Sequence, residues 1–272
     1  MGQATRTVAV AGKGGTGKTT LSGLLIRELL ARGQSPILAV DADPNANLGE
    51  VLGTAAKMSV GAVREQGFMG AREVPAGWDK QSWIEYKMHE ALAEADGYDL
   101  LVMGRPEGPG CYCYANNLFR EYIKTLAKEY PWVVMDNEGG LEHLSRHTTR
   151  DVDVMFIVTD PTVRGMRTVE RISGLIDEMG LVVTERYVVV NRVPADADVA
   201  AILGYTSVPL AGTIPQDPLL FEGDLAGRDV FQLPDAADSL GAVGALVDEY
   251  VMPLAAPRSA GLTGRVVRRE SR

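Results

Sequence analysis

Six short apolar runs punctuate the chain: TVAVAG (7–12), PILAVD (36–41), YDLLVMG (98–104), WVVMDN (132–137), VMFIVTD (154–160) and RYVVVN (186–191). None alternates strictly between apolar and polar positions, as a strand with one wet face would. Continuous β-branched runs are the pattern of strands covered on both sides. Between them lie stretches with helical spacing, at 18–32, 115–129, 164–179 and 236–250. Alternation of this kind predicts an α/β fold, a mostly parallel β-sheet flanked by helices on both faces. Two segments depart from it. Residues 53–82 scatter Gly and Pro around Trp78 and predict an irregular insertion leading into a helix near 83–95. The end of the chain, APRSAGLTGRVVRRESR, has no clear apolar period and reads as a disordered tail.

The chain has 272 residues, 46% hydrophobic and 23% charged, which suits a globular protein with a sizeable core. No linker divides it, so the expectation is one domain over 1–253 and an Arg-rich tail over 254–272. The formal net charge is −9. The tail carries five Arg against one Glu, which leaves the rest of the chain near −13. A negative field of that size excludes general binding to nucleic acid or to anionic membranes. No apolar run approaches the ~20 residues of a membrane span. The N-terminus runs straight into the first strand with no room for a cleavable leader, and residue 6 is Arg where myristoylation favours Ser or Thr. These features predict a cytoplasmic protein without a nucleic-acid or membrane partner.

GKGGTGKTT, Gly12 to Thr20, follows the first strand and opens the first helix. It fits the phosphate-loop pattern G-x-x-x-x-G-K-[ST] in the strand–loop–helix setting that the pattern requires. Gly12, Gly14, Gly15 and Gly17 allow close backbone approach. The amides of the loop, Thr16 and Thr20 included, and the helix N-terminus can then surround phosphate oxygens. Lys18 is placed to meet the β- and γ-phosphates, and Thr19 to offer a hydroxyl to Mg²⁺. The fold class is therefore a single-domain P-loop NTPase.

Lys13 is an addition to the basic motif. With it the loop resembles the deviant Walker A P-loop ATPases, the family of the nitrogenase iron protein, MinD and ParA, whose pattern is K-G-G-x-G-K-[ST]. The resemblance implies a face-to-face homodimer in which Lys13 reaches the partner's nucleotide. In VDADPNANL (40–48) it implies that Asp43 positions the attacking water and that Asp41 joins the magnesium shell. In VVMDNEGG (133–140) it implies that Asp136 holds Mg²⁺ through water and that Gly139 or Gly140 responds to the γ-phosphate. Asn191, in VVVNRV, can donate to and accept from an adenine edge, and Arg192 breaks the N-K-x-D pattern of guanine sites. TIPQDP (213–218) resembles the family segment whose backbone lines the base, which implies Pro215 as a second residue there. ATP is favoured over GTP.

The only two cysteines, Cys111 and Cys113, share one loop, GRPEGPGCYCYANNLFR (104–120). A chain with two thiols has no disulfide framework, and in a reducing compartment close pairs are more often metal ligands or redox groups. The loop follows a strand, so it belongs at the sheet edge where the phosphate loop, Asp43 and Asp136 also emerge. One C-x-C offers two ligands, whereas a tetrahedral thiolate site needs four. Two copies related by a two-fold axis supply them, which links metal capture to dimer closure. Soft sulfur ligands suit Zn²⁺, Ni²⁺ or Cu⁺ and bind Mg²⁺ poorly.

Together with AVDADPNANLGEVLG (39–53) and DNEGGLEHLSRHT (136–148), the cysteine loop resembles the CooC-type accessory ATPases that insert nickel into carbon monoxide dehydrogenase. That likeness implies ATP-driven supply of nickel, with one Ni²⁺ or Zn²⁺ per dimer and the dehydrogenase as recipient. Three other readings stay open: a ParA/MinD-type positioning ATPase, a reductase with a bridging iron–sulfur cluster, and a metallochaperone for another enzyme. The cluster reading wants a second cysteine loop after the strand of Asp136, where DNEGG has none. His143 and His147 stand four residues apart beyond that strand and pair as solvated or packing residues more readily than as metal ligands. His89 has no partner in the sequence.

Overall fold

A computed structural model describes residues 5–63, 77–104, 123–137 and 151–255. Its strands are β1 (Arg6–Gly12), β2 (Ile37–Asp41), β3 (Ala93–Ala95), β4 (Tyr98–Val102), β5 (Trp132–Asp136), β6 (Asp151–Thr159), β7 (Val182–Val193) and β8 (Leu210–Pro215). They form one sheet in the order β3-β4-β2-β5-β1-β6-β7-β8. Every neighbouring pair is parallel except β3 with β4. The helices are α1 (Lys18–Ala31), α2 (Leu48–Val51), α3 (Lys80–Glu90), α4 (Val163–Glu178), α5 (Ala200–Leu203), α6 (Pro218–Leu225) and α7 (Asp238–Leu246). Residues 60–63 and 123–127 are helical as well. The α/β class and the mostly parallel sheet stand as the sequence predicts.

The strands carry unbroken apolar runs because both faces of the sheet are covered. Val8 and Val10 of β1 pack with Leu21, Leu25 and Leu29 of α1 and with Val243 of α7 on one face. Ala9 and Ala11 face the other side, with Met166, Val169 and Ile172 of α4. Successive residues of one strand thus serve two cores. Helix α4 places Met166, Val169, Ile172 and Ile176 on its buried stripe, and the Thr162 hydroxyl accepts from the Gly165 amide at its start (3.0 Å).

Several elements differ from the sequence-based expectation. The helix expected near 83–95 runs Lys80–Glu90, and the chain then turns back as β3, which pairs antiparallel along the β4 edge. Asp79 fixes the helix start by accepting from the Ser82 amide (3.0 Å). β8 is a strand beyond those the apolar runs predict, since LAGTIP carries a Gly and a Pro; at the sheet's end it needs ladder bonds on one side only. The helix expected over 236–250 is regular only to Leu246. It widens to a π turn over Val247–Val251 and ends as a tight turn over Met252–Ala255. That turn packs back on the sheet, because Arg6 donates its Nε proton to the Leu254 carbonyl. Residues 256–272, most of the Arg-rich tail, lie outside the described residues. Among the described residues, no helix is long and apolar enough to cross a membrane.

Trp132 anchors the sheet centre from β5. It is 2% exposed and donates Nε1–H to Gln34 Oε1 at 2.9 Å. Trp132→Ala is expected to cost about 3–5 kcal/mol. In urea unfolding this would lower the midpoint and leave the slope unchanged; an unchanged midpoint would contradict the packing described.

Candidate functional site

The parallel register brings four strand ends to one edge. Asp41 lies opposite Asp136, Val10 opposite Asp136, and Gly12 opposite Val158. Strand order departs from chain order here, because β5 separates β1 from β2, and such crossings at the carboxyl edge are where open α/β sheets bind ligands. Gly12 has φ 147°, and a Cβ on it would sit 2.3 Å from the Val158 carbonyl oxygen. Gly17 has φ 94°, and its Cβ would meet the Asn191 amide nitrogen at 2.3 Å. Both positions demand glycine, as the phosphate-loop reading requires.

Within the loop the Lys13 carbonyl gathers donors. It accepts from Thr16 Oγ1 at 2.8 Å, from the Thr16 amide at 3.4 Å and from Lys18 Nζ at 3.4 Å. Lys18 is only 6% exposed, whereas Lys13 and Gly14 are open to solvent. Lys18 is thus aimed inward at its own loop, and the Lys13 side chain stands outside it.

Asp136 is 1% exposed. Its Oδ1 accepts from the Ser22 hydroxyl (3.2 Å), and that hydroxyl is also bonded to the Lys18 carbonyl (3.0 Å). Its Oδ2 is buried with no hydrogen-bond partner. Burial pushes this carboxyl up to about 7, with the neighbouring Asp41 adding to the rise and the Thr19 hydroxyl, Lys18 and Ser22 opposing it. Thr19 therefore faces the carboxylate while Oδ2 stays free. A buried acceptor with an open lone pair, a threonine hydroxyl beside it and an all-oxygen donor set fit a magnesium ion.

Asp41 is arranged differently. Its Oδ1 accepts from the Asp43 amide (3.0 Å) and its Oδ2 from the Leu48 amide at the start of α2 (2.8 Å). Burial raises it to about 6 against the pull of those two amides. Both oxygens of Asp41 thus hold the loop that carries Asp43, and each keeps a further lone pair for the magnesium shell in which the resemblance expects it. Asp43 in turn accepts at Oδ1 from the Asn45 amide (2.9 Å) and side chain (3.0 Å).

On the far side of the loop, a cavity of about 580 Å³ is lined by Leu21, Leu24, Asn191, Pro215, Leu220 and Phe221, among others. Apolar walls with a few polar groups at the rim suit a nucleobase, and the volume lies within the usual range for ligand sites. Thr20 and Arg192 border the same cavity. Asn191, expected at a base edge, spends one amide proton on the Thr16 carbonyl (2.8 Å), and Arg192 donates Nη1–H to the Gly15 carbonyl (3.1 Å). Both residues therefore support the phosphate loop as well as lining the cavity.

Sequence reasoning does not reach Ser22, Asp217 or Phe221. Ser22 is marked only as a small polar residue inside an apolar helix face, four positions after Lys18. Asp217 caps α6, accepting from the Leu219 amide (2.9 Å), and also accepts from the Ser239 hydroxyl (2.6 Å). Cys111, Cys113, Gly139, Gly140, His143 and His147 lie outside the described residues. Among the described residues, no group of three or more His, Cys, Asp or Glu side chains could hold a metal ion.

The CobQ/CobB/MinD/ParA nucleotide binding domain matches residues 7–230. The chain belongs to the CobQ/CobB/MinD/ParA nucleotide-binding family. Among similar proteins is an uncharacterised ATP-binding protein of Methanocaldococcus jannaschii, 45% identical over 233 residues, covering 84% of this chain and 91% of that protein. Another is the carbon monoxide dehydrogenase accessory protein CooC of Rhodospirillum rubrum, 30% identical over 259 residues, covering 90% and 97%. Among solved structures, the septum site-determining protein MinD of Pyrococcus horikoshii, complexed with Mg-ADP, aligns with a TM-score of 0.67 at 22% identity, over 93% of this chain and 99% of that one. The fold is that of the MinD/ParA P-loop NTPases.

The buried carboxylate of Asp136 makes a pH prediction. A carboxyl raised by folding favours the folded state at low pH and withdraws that support as pH rises towards about 7. Protein stripped of nucleotide and Mg²⁺ is therefore expected to be stabilised by Asp136→Asn at pH 8, by about 2–4 kcal/mol, since each tenfold change in proton affinity is worth ~1.4 kcal/mol. The gain shrinks by pH 5, where Asp136 is already protonated. Thermal melts at the two pH values check this, and an equal gain at both would show that the carboxyl is not held up.

Proposed function

We propose that the protein is a Mg²⁺-dependent ATPase that works as a homodimer and carries one nickel or zinc ion between paired Cys111 and Cys113 loops, supplying nickel to carbon monoxide dehydrogenase. The observation that carries this reading is the presence of a C-x-C pair in the segment that follows β4, in a chain 30% identical to CooC over nearly its whole length. β4 runs parallel to β2, so Gly104 leaves the sheet at the edge of Gly12, Asp41 and Asp136. Bringing nucleotide and thiols together at that edge is part of the proposal.

In this reading the loop amides of Gly12–Thr20 and Lys18 bind the phosphates of their own subunit, and Lys13, exposed in the single chain, reaches the partner's. Thr19 and Asp136 hold Mg²⁺, which neutralises phosphate charge. Asp43 orients water for in-line attack on the γ-phosphorus, while the bond to the bridging oxygen breaks and leaves ADP and phosphate. Asn191, Arg192 and Pro215 face the base, with adenine preferred. Closure of two subunits assembles four thiolates, and opening after hydrolysis removes half of them, so the ion is released. Asp41 holds the Asp43 loop and joins the magnesium shell beside Asp136.

The test is bound nickel per subunit by elemental analysis, with mass by light scattering, for the wild type and for Cys111→Ser/Cys113→Ser. One ion per two subunits is expected, lost in the double variant together with metal-induced dimerisation. Dimerisation that follows ATP alone and ignores metal would return the chain to a MinD/ParA-type positioning ATPase. A visible absorbance of iron and sulfide on the purified protein would instead identify a bridging cluster.

A further inference from the structure

The end of β7 is built irregularly, and the irregularity has one visible use. The ladder between β7 and β8 slips between Val190 and Val193, leaving Asn191 and Arg192 outside regular pairing. Arg192 has φ 56°, in the left-handed region that is strained for a non-glycine residue. Such a bend persists only when surrounding contacts hold it. Three hydrogen bonds converge here. The Arg192 amide donates to Asn191 Oδ1 at 2.9 Å, which fixes which way the Asn191 carboxamide faces. Asn191 Nδ2 then donates to the Thr16 carbonyl at 2.8 Å, and Arg192 Nη1 donates to the Gly15 carbonyl at 3.1 Å.

Two successive carbonyls of the phosphate loop are therefore held towards β7. A trans peptide is planar, so its C=O and the following N–H point in opposite directions. Holding the Gly15 and Thr16 carbonyls towards β7 turns the Thr16 and Gly17 amides to the opposite side, where the Thr16 amide, its hydroxyl and Lys18 Nζ now share the Lys13 carbonyl as acceptor until an anion competes for them. Carbonyls facing inward at these positions would repel a phosphate; amides facing inward attract one.

We propose that Arg192 is a positioning residue of the nucleotide site: acting through the Gly15 and Thr16 carbonyls, it sets the phosphate loop in its anion-binding orientation. Its guanidinium also borders the base cavity with Asp224, so the base and phosphate parts of the site share one support. Burial raises the Asp224 carboxyl against the field of Arg192, which agrees with the two groups facing a common space. The role concerns nucleotide binding alone and stands independently of the metal reading.

A ligand without a base separates positioning from base contact. Binding of Mg-ATP and of Mg-tripolyphosphate to the full chain is measured by calorimetry for the wild type, Arg192→Gly and Arg192→Lys, with Lys18→Ala giving the floor. Arg192→Gly removes the side chain while suiting the left-handed backbone, so it does not depend on tolerating strain. It is expected to weaken both ligands by the same factor, about five- to tenfold for a charge-assisted bond at an exposed site. Arg192→Lys, which can still reach a carbonyl, recovers part of the loss for both. Weakened ATP with unchanged tripolyphosphate would overturn the proposal in favour of a base contact. Unchanged affinity for both would reduce Arg192 to a surface residue. Absence of ATP binding by the wild type would refute the nucleotide site itself.

Discussion

Two carboxylates placed side by side under a phosphate loop constrain the rest of this structure. Asp41 and Asp136 face each other across β2 and β5 at the last position of each strand, and both are buried. Burying one ionised carboxyl is costly, and burying two as neighbours is more so. The fold answers in two ways. Asp41 accepts from two backbone amides, which makes it the staple of the Asp43 loop and of α2. Asp136 meets side chains instead, the Ser22 and Thr19 hydroxyls, and keeps Oδ2 open. The two environments thus differ: one carboxylate is tied to backbone at both oxygens, and the other leaves one oxygen open.

That difference could not be read from the sequence. VDADPNANL and VVMDNEGG each end a strand in acid, and nothing in their spacing says which carboxylate is capped. The class of fold was legible, because strands buried on both faces leave unbroken apolar runs, and the phosphate loop was legible because glycines at fixed spacing have few other uses. Less was visible at the ends of the sheet. β3 is three residues long, and β8 contains residues that ordinarily break a strand. Both become strands by pairing on one side of a sheet that the central runs have already fixed. The same limit applied to Asn191 and Arg192, whose support of the loop depends on a slip in strand pairing that no periodicity marks.

The site thus has three supports drawn from distant parts of the chain: Ser22 and Lys18 from α1, Asp136 from β5, and Asn191 with Arg192 from the end of β7. Each touches the phosphate loop or the carboxylate below it. Binding a nucleotide therefore loads strands on both sides of β1, and β4, which leads to the cysteine segment, lies on the β2 side of the same sheet. In the proposed cycle the nucleotide state governs whether two subunits close, and closure governs whether four thiolates meet. Linkage then requires the reverse as well: metal must tighten ATP by the factor by which ATP tightens metal.

The most direct measurement is the nickel dissociation constant of the full chain with a non-hydrolysable ATP analogue and, separately, with ADP. Coupling of a few kcal/mol would appear as at least tenfold tighter nickel with the ATP analogue, and that gap should vanish in Cys111→Ser/Cys113→Ser. Equal nickel affinity in both nucleotide states would contradict the account, because the metal would then be bound without reference to the ATPase.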